Sequence, residues 1–368
     1  MGQILCWFRR APTPQPQAPL LQQQQQQQAS VSQQQQKKKL RREDFILSNR
    51  KDAVVEREAG TIDGQQFVIE DCTGCDVYLL DWSATITVDY CTDCRFLIGP
   101  VEGSIFFRNC KGCDVLVICQ QFRTRECQDC RFGLFCTTEP IVEMSSGLEF
   151  GCFDFCYFSL REHMSKAHLS LWDNKWYRIY DFSATAAAAA QDEDDDKPNW
   201  TFIQQSSVRG LVDASKCGAL SPEEADMKSS LPVSLGTENL PYGESCVVLV
   251  LPGAENEGLI DTLVEGANKV GGVLYQTRMM ICDPPKLKEL FDRHSDVSAI
   301  QKGSKGATLE SPPSLPASYI GGNSIHSTLQ SVIQEDDALR TSKLIHLVDE
   351  AKAKPLSKEF FLQWKDDI

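Results

Sequence analysis

Residues 70–81 read EDCTGCDVYLLD, a C-x-x-C pair, Cys72 and Cys75, set directly before an apolar run. The pair returns as DYCTDCRFLIG at 89–99, RNCKGCDVLVIC at 108–119 and RECQDCRFGLF at 125–135, which adds Cys91/Cys94, Cys110/Cys113 and Cys127/Cys130. The first cysteines of successive pairs lie 19, 19 and 17 residues apart. On spacing alone, two pairs separated by 15 residues match a zinc site with four thiolate ligands. A zinc ribbon, however, uses two pairs per site and gives no reason to keep one register across four.

Everything between the pairs repeats as well. Aligned on the first Cys, the residue five before it is Phe67, Ile86, Ile105 and Phe122, and the residue three before it is Ile69, Val88, Phe107 and Thr124. Five after it stand Val77, Phe96, Val115 and Phe132, and seven after it Leu79, Ile98, Val117 and Leu134. Apart from Thr124 these columns are apolar with period two, the pattern of strands packing one face inward. A unit of about 19 residues whose inward columns stay in register predicts a parallel β-solenoid. In such a stack, with coils roughly 5 Å apart, Cys is a small apolar side chain suited to a tight corner. The cysteines are therefore read as packed, reduced ladders, with zinc binding and redox chemistry as the alternatives, and neither a metal nor a cofactor is expected.

The outward columns are free for function. Two before the Cys stand Glu70, Asp89, Arg108 and Arg125; four before it stand Val68, Thr87, Phe106 and Arg123. Three arginines thus gather on neighbouring outward positions. A solubilising surface, with Arg108 paired to Asp89, is the plain explanation, and a binding face is the other.

A chain of 368 residues accommodates two or three domains, and its 42% apolar content is ordinary for a globular protein. No apolar run approaches the roughly 20 residues of a membrane span, and ILCWF followed by two arginines is too short, with its charge on the wrong side, for a signal peptide. The expected compartment is the cytosol, where thiols stay reduced. The net charge of -14 hides seven basic and no acidic residues within 1–42, a basic tail on an acidic body. Such a tail suits an anionic surface, and such a body argues against nucleic acid as a partner.

Four regions follow. Residues 1–44 form a Gln-rich, basic, disordered tail, and residues 45–183 the dense Cys-rich segment. Residues 184–241, with an Ala run, an acidic run and Ser/Pro-rich sequence, read as a solvated linker, with SPEEADM as a local helix capped by Ser221. Residues 242–368 alternate strand and helix patterns: strands at SCVVLVLPG, GGVLYQTRMMI and KLIHLV, helices at 257–269, PPKLKELFDRH and NSIHSTLQSVIQ.

The stretch GPVEGSIFFRNCKGCDVLVICQQFR, 99–123, within a wider match from GQQFVIEDC to WYRIYDFS, resembles the tubulin-folding cofactor C domain family over about residues 60–183. The resemblance implies a right-handed parallel β-helix, followed by a small α/β ferredoxin-like domain similar to nucleoside diphosphate kinase. It also implies GTPase-activating activity toward the GTP-bound form of an Arf-like small GTPase. Arg123 matches the family's arginine finger, with Gln120 three residues earlier, and Glu143 in PIVEMSS and Phe182 in YDFS match GTPase contacts. Arg108 and Arg125 join them from the column pattern alone. Gly2 is a candidate myristoylation site, although Cys6 stands where that pattern prefers Ser or Thr; Cys6 is itself a candidate for palmitoylation. One acyl chain binds weakly, so the basic clusters Arg9–Arg10 and Lys37–Arg42 would complete a membrane anchor. The expected location is the cytoplasmic face of the plasma membrane, at the cilium or basal body, in trafficking of lipidated proteins. The alternative is a non-catalytic scaffold or tubulin-folding chaperone using the same β-helix. In the C-terminal region Asn323 and His326 resemble the kinase's phosphorylated-His motif, but Ser327 replaces its Gly, so that domain is expected to be inactive and to serve interaction.

Overall fold

The structure is a computed structural model that describes residues 41–183, 198–227, 229, 231–236, 245–250, 262, 266, 273–281, 314–321, 329–331, 333–334 and 345–347. Its dominant feature is the parallel β-helix that the cysteine register predicts. On one face run β1 (Ile46–Ser48), β3 (Phe67–Glu70), β5 (Ile86–Asp89), the ends of β6 (Arg95–Arg108) and β7 (Asp114–Arg125), β9 (Ile141–Glu143) and β11 (Tyr180–Asp181). Another face takes β2 (Val54–Arg57), β4 (Asp76–Leu79), the starts of β6 and β7, β8 (Arg131–Cys136), β10 (Leu148–Cys152) and β12 (Trp200–Phe202).

Every sequence column becomes a ladder. Phe67, Ile86, Ile105 and Phe122 pair in parallel register, and so do Val77, Phe96, Val115 and Phe132. Phenylalanines fill the interior, with ring centroids 5.9 Å apart for Phe107–Phe122, 4.9 Å for Phe122–Phe132 and 5.5 Å for Phe132–Phe150. Thr124 faces the same interior, fully buried, and its Oγ1 finds no partner.

The cysteine pairs form the corner. The residue after each first Cys belongs to one line of bridges, Lys51, Thr73, Thr92, Lys111, Gln128 and Ser146, so two coils that lack the pair extend the stack at its ends. In the later of these Ser145 takes the place of Cys, its Oγ accepting from the Cys127 N–H at 3.0 Å. The cysteines of the four pairs are buried and free of disulfides. Their thiols donate to backbone carbonyls: Cys72 to Glu70, Cys75 to Thr73, Cys94 to Thr92 and Cys130 to Gln128, at 3.2 to 3.4 Å. Burial pushes the Cys72 thiol up, which disfavours a thiolate at that position. Among the described residues no cluster of three or more His, Cys, Asp or Glu is arranged to hold a metal ion.

The same corner turns through left-handed residues, Gly74, Asp93, Gly112, Asp129 and Gly147. Asp and Gly alternate for a steric reason. A Cβ at Gly74 would lie 2.4 Å from the Asp52 carboxylate, one at Gly112 2.4 Å from Asp93, and one at Gly147 2.6 Å from Asp129. Each Asp thus fills the space that the next coil leaves by having no side chain, and Asp tolerates this backbone region better than most residues. Two positions on, an outward column alternates in charge: Asp76, Arg95, Asp114, Arg131 and Glu149. Arg131 Nε reaches Asp114 at 2.6 Å, and Arg95 Nη2 reaches Asp76 at 3.0 Å.

One flank of the helix is covered. Tyr78, Leu97, Leu116, Ile118 and Phe135 point outward yet are buried, beneath α1 (Leu160–Lys166) and the chain from 203 to 231. The linker reading of 184–241 is corrected here. Residues 198–236 pack on the solenoid: β12 extends β10, and α2 (Gln205–Val208) and the turn Arg209–Leu211 bury Val208 and Leu211. Glycines 133 and 151 make room, since a Cβ at either would come within 2.7 Å of Val208. The sequence misleads because this cover consists of single turns too short to show a period. α3 (Pro222–Asp226) has the expected Ser221 cap, and Glu224 closes it into a capping box. Residues 184–197, which hold the Ala and acidic runs, lie outside the described residues.

In the C-terminal region β13 (Ser245–Val250), β14 (Val273–Ile281), β15 (Ser314–Gly321) and β16 (Ile345–Leu347) form an antiparallel sheet in the order β14-β15-β13-β16. That is the strand order of a ferredoxin-like split βαβ sheet. β15 is a strand that the pattern of alternating strands and helices did not single out. The helix at PPKLKELFDRH, and Asn323, His326 and Ser327, lie outside the described residues.

Candidate functional site

The face made by β3, β5, β6, β7, β9 and β11 carries all the arginines singled out above. One of its columns runs Thr87, Phe106, Arg123, Ile141 and Tyr180; the next runs Glu70, Asp89, Arg108, Arg125 and Glu143. Alternation along β7 explains the directions. Phe122 and Thr124 enter the core, which leaves Arg123 and Arg125 outside.

The four basic and acidic members of this surface differ in commitment. Arg108 is tied to Asp89, with Nε to Oδ1 at 2.7 Å, and lies over the Phe106 ring at 5.5 Å. Arg125 stands beside Arg108 in register and, among the described residues, pairs with Glu126 alone, at 3.5 Å. Glu143 follows Arg125 in register. Arg123 has no ion-pair or hydrogen-bond partner for its guanidinium among the described residues, although it is only partly exposed.

Arg123 instead lines a groove of about 380 Å³ together with Gln121, Glu139, Ile141, Tyr180 and Phe182. The segment 175–183 forms one wall. Its β11 pairs with β9, the Tyr180 N–H donates to Pro140, and the Asp181 carboxylate accepts from Ser183 N–H and Asn199 Nδ2, at 2.8 Å each. The Tyr180 and Phe182 rings meet edge to face at 4.7 Å and are 42% and 47% exposed, so this wall presents aromatic surface. Glu139 is drawn to Arg178, at 2.6 Å.

Arg123 and Phe182 therefore meet at one groove, with Glu143 at the next column. Gln120 does not line it. That residue is exposed at the bend of β7, its carbonyl held by the Thr138 N–H at 3.0 Å, while Gln121 faces the groove and accepts from Ser104 Oγ at 2.9 Å. Gln121, Glu139, Arg178 and Tyr180 are additions that sequence reasoning did not single out; Arg178 and Tyr180 stand inside the quoted WYRIYDFS. Gly2 and Cys6 lie outside the described residues.

A guanidinium without an internal partner, fixed on a rigid strand beside an aromatic wall, is equipped to form bidentate hydrogen bonds with an anionic group brought by another molecule. Because the strand is already ordered, little entropy is lost in aiming it.

Residues 64–182 match the family model described as Tubulin binding cofactor C. Protein XRP2 of Danio rerio is 34% identical over 264 residues, 69% of this chain and 66% of that protein. Protein XRP2 of Gallus gallus is 34% identical over 255 residues, 68% of this chain and 69% of its own. The chain thus spans about two thirds of the length of these relatives, which are the retinitis pigmentosa 2 proteins. Tubulin-specific chaperone C of Homo sapiens is 28% identical over 159 residues, 43% of this chain and 44% of that protein.

Proposed function

The chain belongs to the XRP2 family, and from that premise we propose that it is a GTPase-activating protein for an Arf-like small GTPase, supplying Arg123 as an arginine finger. The observation that carries the reading is the partnerless guanidinium of Arg123 at the rim of an aromatic groove. GTP hydrolysis develops negative charge across the phosphates, and a guanidinium inserted into the GTPase site stabilises it by about a thousandfold or more in rate. Phe182 and Tyr180 offer apolar contact to the GTPase surface, Glu143 and Arg125 polar contact, and Arg108, held by Asp89, shapes the local field. Gln120, exposed at the bend, supports the finger's approach from the side. The protein performs no chemistry on a substrate of its own; the active site belongs to the GTPase.

The same proposal places the protein on the cytoplasmic face of the plasma membrane, through acyl chains at Gly2 and Cys6 and the basic clusters, in ciliary trafficking of lipidated cargo. Single-turnover GTP hydrolysis by candidate Arf-like GTPases, with the wild-type protein and Arg123→Ala side by side, tests the activity. Full stimulation by Arg123→Ala would remove the mechanism. Gly2→Ala should release the protein from membranes in fractionation, and retention there would remove the anchor.

The likeness to a tubulin-specific chaperone favours one second reading, a non-catalytic scaffold or tubulin-folding cofactor. Binding of a GTPase or of tubulin that is indifferent to Arg123 would support it.

A further inference from the structure

Arg123 has a carboxylate within its own groove. Glu139 lines that groove with it, and Glu139 lies two residues before Ile141, the register partner of Arg123. A carboxylate so placed would ordinarily claim the guanidinium, as Asp89 claims Arg108 and Asp114 claims Arg131. It does not, because Arg178 holds it at 2.6 Å. Arg178 comes from the strap that ends in the aromatic wall, its backbone N–H fixed to the Lys175 carbonyl at 2.9 Å. The side chain of Arg178 is 24% exposed and that of Glu139 43%, so the pair lies at the surface and not in the core.

We propose that Arg178 is a positioning residue for the finger, sequestering Glu139 so that Arg123 stays available to an incoming phosphate. The inference rests on the arginine-finger reading and adds an internal competitor to it. Two cations share one anion here; the pairing that exists leaves the outward cation free. Removal of Arg178 returns Glu139 to the groove, where it pairs with Arg123 and holds it against its own sheet. The partner GTPase then has to break that ion pair before the finger can enter. The effect falls on the fraction of molecules whose finger is free and leaves the strength of the aromatic contact unchanged.

The test is a double-mutant cycle on the full chain, read by single-turnover hydrolysis at saturating protein. Arg178→Gln should lower the stimulated rate roughly fivefold, the weight of one exposed ion pair, with little change in the protein concentration giving half the effect. Arg178→Gln/Glu139→Gln should return to within about twofold of Glu139→Gln alone. A fully active Arg178→Gln overturns the inference, and so does a double variant as slow as Arg178→Gln, since loss of the strap's geometry is not repaired by neutralising Glu139. Arg123→Ala, run in parallel, separates the two levels. If it stimulates fully, the finger itself is wrong; if it is dead while the cycle shows no coupling, only the role of Arg178 falls.

Discussion

Two outward columns of one solenoid carry charge in opposite ways. In the first, Asp76, Arg95, Asp114, Arg131 and Glu149 alternate in sign, and two of its arginines are already held by aspartates one coil away. In the second, Glu70 stands beside Asp89 and Arg108 beside Arg125, so like charges sit at neighbouring positions, an arrangement that costs stability. Next to it Arg123 stands in register between Phe106 and Ile141, neither of them charged. The first column is complete in itself and tightens the register. The second leaves like charges side by side at the surface.

The contrast can be broken from either side. The largest effect is expected at Arg123: its replacement by Ala should cut stimulated GTP hydrolysis by about a thousandfold while the thermal midpoint stays put, because its guanidinium pairs with none of the described residues. Asp114→Lys does the reverse. It sets three cations in succession along the self-complementary column, and urea unfolding should report a loss of about 1 to 2 kcal/mol, with stimulation at saturating protein retained. Thr124→Val, next to Arg123 on the same strand, removes a buried hydroxyl that has no partner among the described residues, and the same unfolding experiment should show a gain of about 1 kcal/mol. Arg125→Gln is the gentlest change. It relieves the like-charge contact with Arg108 and gives up the attraction of Glu126 and Glu143, so stability should stay within about 0.3 kcal/mol, while stopped-flow association with the GTPase should become slower and less sensitive to salt.

The β-helix was legible because each of its interior ladders is a sequence column at constant offset from Cys72, Cys91, Cys110 or Cys127. Where the offset persists but the marker does not, legibility ends. The coils through Lys51 and Ser146 belong to the stack, yet no C-x-x-C announces them. The outward direction of Arg123 was also readable, since Phe122 and Thr124 had to point in. The groove was not. Tyr180 comes to the groove of Arg123, and Arg178 to Glu139, through the pairing of β11 with β9, some 55 residues on, and no local pattern encodes that meeting. The cover at 198–236 was missed for a related reason: Val208, Leu211 and Leu220 are buried one turn at a time.

The alternation at the corner has a consequence for how this molecule can change length. Coils with Gly at the bend carry an acid two residues later, as Gly74 with Asp76, Gly112 with Asp114 and Gly147 with Glu149; the coils of Asp93 and Asp129 carry a base there, Arg95 and Arg131, while the terminal coil of Asp52 carries the uncharged Val54. The coils therefore come in two kinds, and the stack has parity. Duplicating or deleting a single coil would bring two aspartates together at one bend, or leave two glycines with a void, and would put like charges side by side in the neighbouring column. Inserting or removing coils two at a time preserves both patterns, so the permitted steps in the growth or shortening of this helix are even ones.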